Sequence, residues 1–347
     1  MSVQPPIPAA GSGSGSGSGA PHPSQLPGPT PSSSVGSLIL PSPPFISAPG
    51  LANLRDVGGY EIPSSSSSSS GNKKKKMVRK GVVFRSADTT KLTDEGVAVM
   101  QTLGIAHVYD FRSRLEFGQE DKPGTEPREW EGARRHWTPV FANVDLSPEA
   151  QAVKMRRFRD YTNGPEGFVR AYSTILAGAA DPTNEYVPYR TIFKQLASSS
   201  SSSTSKPAPL LVHCSAGKDR TGLFVALLLA LLCLPHEVIA HEYSLTDLGL
   251  AHRKSAIVDH VLADPAFDGD RAAAERMVSS RKEFMLATLQ YIDAEYGGAE
   301  KYVIEKLGVT KEEVEKIREV MVVDVEEGEQ TVDWEGNAEA VERVYRH

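Results

Sequence analysis

The stretch from Val212 to Gly222, which reads Val-His-Cys-Ser-Ala-Gly-Lys-Asp-Arg-Thr-Gly, constrains the fold more than any other. Residues 209–212 before it form a short apolar run suited to a buried strand, and residues 223–234 form an apolar run long enough for a buried helix. A loop between such elements ends at a helix N-terminus, where unpaired N–H groups and the helix dipole favour anions. The sequence therefore predicts an anion-binding loop between a strand and a helix.

Four residues of this loop suit phosphate chemistry. The field that binds an anion also favours the thiolate of Cys214, which can attack phosphorus and form a phosphocysteine. Gly217 permits a backbone conformation in which successive amides turn inward as an anion nest. Arg220 supplies a planar fork for two phosphate oxygens, which lysine would not reproduce. Thr221 is placed to hydrogen-bond the sulfur when the intermediate is hydrolysed.

Five loop positions are predicted to bind the substrate. They are His213, Ser215, Ala216, Gly217 and Lys218. We expect His213 to position the loop through a hydrogen bond rather than to donate a proton. Lys218 adds a second cation and favours a more highly charged ester than phosphotyrosine; the alternative is a lysine directed into solvent.

The loop resembles the H-C-x-x-G-x-x-R-[ST]-G signature of the protein tyrosine phosphatase superfamily, and more narrowly an atypical branch with Gly-Lys-Asp-Arg-Thr-Gly. Other segments resemble that branch in the same order. They are residues 53–59, 83–87, 92–96, 108–116 and 291–298. The resemblance implies an α/β fold with a mostly parallel central sheet flanked by helices. It also implies a helical lid formed by residues 245–280.

The proton donor is the site residue with two candidates. A general acid, usually an aspartate, assists expulsion of the leaving group. Other members of the superfamily carry it in a Trp-Pro-Asp sequence, whereas residues 137–140 here read Trp-Thr-Pro-Val. The resemblance to the atypical branch implies Asp219 instead. Asp110 is the alternative, although a structural salt bridge with Arg112 or with the loop is the favoured interpretation there.

Two further positions are interpreted as structural. Arg55 and Asp56, in the first matched motif, are predicted to pair and to tie the N-terminal segment under the loop. Cys233, the second of the two cysteines, falls within the apolar helical run and is predicted to pack in the core.

The periodicity also predicts the surrounding elements. Predicted strands are residues 82–85, 106–110, 137–140 and 210–214. Predicted helices are residues 94–103, 167–177, 186–196, 221–234, 271–296, 299–306 and 311–322.

Composition divides the chain into regions. Residues 1–46 are rich in Pro, Ser and Gly and are predicted to be disordered, residues 47–323 form the predicted catalytic domain, and residues 324–347 form an acidic tail expected to be exposed. Polar tracts at 64–76 and 198–206 are interpreted as surface insertions. The lysines of the first tract could bind anionic lipid or act as a nuclear signal, but a solvated loop is favoured.

Charge and cysteine content limit the partners. A net charge of −6 disfavours a nucleic-acid partner, and no apolar segment reaches membrane-spanning length. With two cysteines, one assigned to catalysis, and no evident signal peptide, the chain fits a reducing compartment, cytoplasmic or nuclear. We expect no metal or other cofactor, because loop amides and Arg220 supply the electrophilic stabilisation.

Several functions fit a cysteine loop. The sequence favours a phosphoester hydrolase acting on phosphorylated tyrosine or serine in proteins, with a phosphoinositide phosphatase of the same mechanism as an alternative. A catalytically inactive module that binds phosphorylated ligands would be expected to lack the Cys, the Arg or the acid, and all three are present here. A sulfur transferase or arsenate reductase would not need Arg-Thr-Gly at the start of a long helix.

Overall fold

The structure is a computed structural model that describes residues 40–63, 74–117, 126–142, 147–199 and 207–345. Most of the predicted disordered segment and of the two polar insertions lies outside these ranges.

Strands and helices are interspersed up to the helix that begins at Asp219, and helices dominate the described residues after it. The strands are β1 (Arg55–Asp56), β2 (Glu61–Ile62), β3 (Lys76–Val78), β4 (Val83–Ser86), β5 (His107–Asp110), β6 (Arg134–Trp137), β7 (Leu210–His213) and β8 (Val322–Asp324). The helices are α1 (Asp94–Thr102), α2 (Pro148–Asp160), α3 (Gly164–Ala179), α4 (Pro188–Ser198), α5 (Asp219–Leu231), α6 (His236–Ser244), α7 (Thr246–Gly249), α8 (Lys254–Leu262), α9 (Arg271–Val278), α10 (Lys282–Tyr296), α11 (Ala299–Lys301), α12 (Lys311–Met321) and α13 (Trp334–Tyr345). Short 3-10 turns cover Arg114–Glu116, Ala251–Arg253 and Pro265–Phe267, and α11 continues as a π-helix over Tyr302–Lys306.

The central sheet has the strand order β1-β4-β7-β5-β6. Strands β4, β7, β5 and β6 are parallel, and β1 joins the edge antiparallel to β4. Strand β7 is therefore central, and its carboxyl end lies between the carboxyl ends of β4 and β5. Ligand sites of parallel sheets form at this edge. The predicted α/β class, with a mostly parallel sheet flanked by helices, is confirmed.

Helix α5 follows the loop and lies in the centre of the domain. Its residues from Leu223 to Leu229 are at most 1 % exposed, which explains a helix that is apolar on all sides. The helix ends at Leu231, before the end of the apolar run. Cys233 then adopts a left-handed conformation (φ 63°) and is exposed, so the prediction that it packs in the core is wrong.

The predicted lid region contains α7, α8 and α9. A separate apolar cluster joins the lid residues Ile257 and Phe267 to Phe158 of α2, and it packs against Ala216 of the loop. The helices of this region therefore contact the loop. The single helix predicted for residues 271–296 is interrupted between α9 and α10, where the amide of Ser280 donates to the Asp247 carboxylate at 3.1 and 3.0 Å.

Residues on both sides of the predicted catalytic domain take part in the packed core. In α13, Val341 is fully buried against Phe45, Leu245 and Leu248, so the acidic tail is not simply exposed. Phe45 is itself 3 % exposed although it belongs to the segment predicted to be disordered. Lys76, assigned to the first insertion, begins strand β3, which pairs with β2 and β8.

Candidate active site

The loop runs from the end of β7 at His213 to the start of α5 at Asp219. Cys214 is the first loop residue and is 2 % exposed. Gly217 has a φ of +65°, and a Cβ atom there would lie 2.0 Å from the backbone oxygen of Ser86. Both the backbone conformation and the space therefore require glycine at this position.

Two side chains donate hydrogen bonds to carbonyl groups of the loop. Arg85 donates to the carbonyl of Gly217 at 2.6 Å, and Asn53 donates to the carbonyl of Ala216 at 3.1 Å. In a trans peptide the N–H points opposite to the C=O. The amides of Gly217 and Lys218 therefore point away from this support, in the direction that an anion nest requires.

A buried charge cluster fixes Arg85. Glu242 accepts from Arg55 at 2.7 Å and forms an ion pair with Arg85. Burial and the charge of Arg85 lower the pKa of Arg55 to about 10. Burial alone would raise the pKa of Glu242, but the two arginines hold it below its usual value. The predicted pair of Arg55 with Asp56 is wrong, because Asp56 accepts the amides of Gly58 and Gly81 instead.

Arg220 is held by a carboxylate to which the sequence analysis gave no role. It donates to both oxygens of Glu116 at 2.6 Å, and Ser215 donates to the same carboxylate at 2.6 Å. Burial would raise the pKa of Glu116, but the charge and hydrogen bonds of Arg220 lower it to about 2. The sequence signal that could have pointed to Glu116 is the Ser-x-x-Glu spacing, which is typical of a capping box. Ser113 and Glu116 form such a capping box at this turn.

Asp110 lies at the end of β5 and is fully buried. It accepts from Arg112 at 3.0 and 2.9 Å and from Arg135 at 2.8 Å, and His213 lies 3.8 Å away. Burial would raise the pKa of Asp110, but His213 and the two arginines hold it far below its usual value. A carboxylate held ionised in this way cannot supply a proton, which favours the structural interpretation of Asp110.

Asp219 is the first residue of α5, and its side chain is 24 % exposed. Its Oδ1 accepts from the hydroxyl of Tyr172 at 2.8 Å and lies 3.3 Å from the ammonium of Lys218. The carboxyl group is thus fixed at one oxygen while the side chain remains accessible from outside. This arrangement suits a proton donor better than that of Asp110.

Lys218 is directed toward the lid and is 4 % exposed. Its ammonium donates to the carbonyl of Met277 and, at 3.2 Å, to that of Ser279. It also lies over the rings of Phe168 and Tyr161, 5.1 and 5.5 Å from their centroids. The alternative of a lysine in solvent is therefore wrong. Its ammonium binds carbonyl groups at the end of α9 and also pairs with Asp219.

His213 directly precedes the nucleophile, and Thr221 lies in the first turn of α5. A ring nitrogen of His213 lies 3.2 Å from the carbonyl oxygen of Cys214, and burial lowers the pKa of this histidine. The hydroxyl of Thr221 is buried and has no hydrogen-bond partner within the described ranges. That hydroxyl is therefore available to a sulfur atom or a ligand.

Groups of three or more His, Cys, Asp or Glu residues that could hold a metal ion do not occur in the part of the chain that the structure describes. Across those same ranges, no helix combines the length and the apolar character needed to cross a membrane.

A cysteine and an arginine on an amide-lined loop, at the carboxyl end of a central parallel strand, define a cysteine-dependent phosphatase. The chain belongs to the tyrosine phosphatase family, whose sequence profile matches residues 46–323. The family resemblance seen in the sequence is thus confirmed.

Two curated relatives show how far the similarity extends. The chain is 28 % identical over 280 residues to the triple specificity protein phosphatase PtpB of Mycobacterium tuberculosis. The matched region covers 76 % of this chain and 98 % of that protein. It is 26 % identical over 237 residues to a tyrosine-protein phosphatase of Nostoc commune. Here the matched region covers 67 % of this chain and 72 % of the relative. The similarity therefore includes nearly the whole of the mycobacterial protein and almost three quarters of the protein from Nostoc commune.

Proposed function

We propose that this protein is a protein tyrosine and serine phosphatase that acts through a phosphocysteine intermediate. The observation that carries the proposal is the loop itself. Cys214 begins it, Gly217 has the left-handed conformation that an amide nest needs, and Arg220 is held with its guanidinium plane fixed by Glu116. The family and the names of both relatives support a phosphorylated protein as the substrate.

The first half of the reaction transfers the phosphoryl group to sulfur. The Cys214 thiolate attacks phosphorus while the bond from phosphorus to the ester oxygen breaks, and its electron pair stays on that oxygen. Asp219 donates a proton to the same oxygen, which leaves as an alcohol or phenol. Loop amides and the fork of Arg220 stabilise the charge on the equatorial phosphoryl oxygens.

The second half returns the enzyme to its starting state. Water attacks the phosphocysteine and gives a proton to the Asp219 carboxylate, and inorganic phosphate leaves as the bond from sulfur to phosphorus breaks. The electron pair of that bond returns to Cys214 as thiolate. The free hydroxyl of Thr221 supports its role of stabilising this leaving group.

The phosphoinositide alternative depended on Lys218 as an additional cation for the substrate. That ammonium is engaged with Asp219 and with the carbonyls of Met277 and Ser279. A phosphorylated protein is therefore the better supported substrate. The inactive-module alternative is disfavoured because Cys214 and Arg220 keep the geometry that turnover requires.

Phosphate release by the full-length protein tests this proposal. Phosphotyrosine peptides, phosphoserine peptides and short-chain phosphoinositides would be compared at equal concentration, with Cys214→Ser as the blank for each. We expect the highest kcat/KM on the phosphopeptides. Faster hydrolysis of the phosphoinositides would indicate that they, rather than phosphorylated proteins, are the substrate. Binding without turnover in all three classes would indicate an inactive module.

A further inference from the structure

A chain of hydroxyl groups leads from the core of the protein to the proposed acid. The hydroxyl of Tyr243 in α6 lies 2.7 Å from that of Tyr172 in α3, which lies 2.8 Å from Oδ1 of Asp219. Both tyrosines are at most 1 % exposed. Burial raises the pKa of each well above its usual value, so both hydroxyls remain protonated. They can therefore act as donors across the whole range of assay pH.

The direction of these hydrogen bonds follows from counting protons. An ionised carboxylate only accepts, so the single hydroxyl proton of Tyr172 is directed to Asp219. Tyr243 must then donate to the oxygen of Tyr172. Each donation polarises the next, and the chain strengthens the final hydrogen bond to Oδ1.

The two oxygens of Asp219 are not equivalent. Tyr172 and the ammonium of Lys218 both contact Oδ1, at 2.8 and 3.3 Å. Among the residues described, Oδ2 has no hydrogen-bond or ion-pair partner. When the group is protonated, the two donors on Oδ1 exclude the proton from that oxygen, so it resides on Oδ2.

We propose that Tyr172 is a positioning residue for the phosphatase reaction, which fixes Oδ1 of Asp219 so that the transferred proton leaves from and returns to Oδ2. The inference rests on the proposed function and on Asp219 as its acid. In the first half the proton passes from Oδ2 to the ester oxygen as the bond from phosphorus to that oxygen breaks. In the second half a proton of the attacking water passes to Oδ2.

Packing alone does not account for the hydroxyl of Tyr172. Its ring meets Phe168 and Tyr161 edge to face, with centroids 5.7 and 6.2 Å apart, and phenylalanine would keep both contacts. A buried hydroxyl must be desolvated, and within the described ranges this one regains its hydrogen bonds through Asp219 and Tyr243 alone. The replacement Tyr172→Phe therefore removes the positioning contact and retains the core.

The test compares leaving groups in the full-length protein. Wild type, Tyr172→Phe and Asp219→Asn would be assayed with a phosphotyrosine peptide, whose leaving group needs a proton, and with p-nitrophenyl phosphate, whose leaving group departs unaided. Tyr302→Phe is the matched control, because this buried tyrosine donates to the Leu176 carbonyl of the same helix α3 at 2.7 Å. Thermal unfolding would verify that every variant is folded.

We expect Tyr172→Phe to lower kcat/KM on the phosphotyrosine peptide by about tenfold or more, as expected for loss of a hydrogen bond to a charged group. The ratio kcat/KM reports the steps up to departure of the leaving group and not the hydrolysis of the phosphocysteine, which both substrates share, so kcat/KM on p-nitrophenyl phosphate should change less than about threefold. Tyr302→Phe should match the wild type on both. If Tyr172→Phe does not fold, Tyr243→Phe should show a smaller loss with the same dependence on the leaving group.

Two results would overturn the inference. They are an equal loss of kcat/KM on both substrates, which indicates a structural role, and an unchanged kcat/KM on the peptide. If Asp219→Asn depends on the leaving group and Tyr172→Phe does not, only the inference about Tyr172 fails. If Asp219→Asn itself shows no such dependence, the assignment of the acid fails with it.

Discussion

Arg220 donates two parallel hydrogen bonds of 2.6 Å to Glu116, one to each carboxylate oxygen. The guanidinium that is to bind a phosphoryl group is thereby fixed in its plane before any substrate arrives. A fixed donor needs no reorganisation during the reaction, which is the basis of electrostatic preorganisation.

Replacement of Glu116 should therefore reduce catalysis without loss of the fold. We expect Glu116→Gln to lower kcat/KM by about tenfold, because the amide can accept only one strong hydrogen bond from Arg220. Steady-state kinetics on a phosphotyrosine peptide measure this. Glu305→Gln, a change on the π-helical turn remote from the loop, is the control, and equal rates for the two variants would contradict the role of Glu116.

Gly217 should tolerate no side chain. Gly217→Ala places a Cβ atom 2.0 Å from the Ser86 carbonyl oxygen, so the loop must move and kcat should fall by about a hundredfold, the effect typical of lost oxyanion donors. Gly269→Ala is matched in backbone conformation (φ +76°) but has nothing within 4 Å of its added methyl group. It should lose only about 1 kcal/mol of stability and no activity. Similar activity in both variants would contradict this account.

The buried charge cluster under the loop should be essential for stability. Glu242→Gln leaves Arg55 and Arg85 without their shared carboxylate, and we expect the free energy of unfolding to fall by about 3 kcal/mol or more. Chemical denaturation measures the change. Glu300→Gln, which breaks the surface pair with Arg318, should cost about 1 kcal/mol at most. If the free energy of unfolding of Glu242→Gln fell by less than about 1 kcal/mol, the cluster would be dispensable for stability.

His241 should make the stability depend on pH. It is fully buried, and neither ring nitrogen has a hydrogen-bond partner among the described residues. Burial and the charge of Lys282 lower its pKa to about 4. The unfolded chain therefore binds a proton at a higher pH than the folded protein, and stability falls as the pH drops from about 6.5 toward 4.

Between pH 7 and pH 5 the contribution of His241 amounts to about 2 kcal/mol. Denaturation at both pH values should show this loss in the wild type and a smaller one in His241→Phe. His236→Gln, at a partly exposed histidine, is the control and should keep most of the wild-type difference. An identical pH dependence in His241→Phe and the wild type would contradict the assignment.

The sequence predicted the loop well because its strand, glycine and helix start are local features. Strand β7 and helix α5 begin and end within three residues of their predicted bounds. Strand β6 was misplaced: residues 137–140 were predicted, whereas pairing with β5 covers Arg134–Trp137 and ends before Pro139, which has no N–H to donate.

The partners of the loop could not be predicted because they are distant in the chain. Glu242 follows Arg55 by 187 residues, and Asp219 follows Tyr172 by 47. Composition also suggested an exposed acidic tail. The acidic residues dominate its average composition, and this average hides the one buried face of α13, which is centred on Val341. Only the folded chain brings these groups together.

Trapping the phosphocysteine tests the central claim most directly. The full-length protein would be mixed with a phosphotyrosine peptide, quenched in acid within one turnover and analysed by mass spectrometry of the fragment that contains Cys214. We predict one phosphoryl group on Cys214, more of it in Thr221→Ala, and none in Cys214→Ser, which should also lack turnover. Turnover without this adduct, or turnover that persists in Cys214→Ser, would contradict the account.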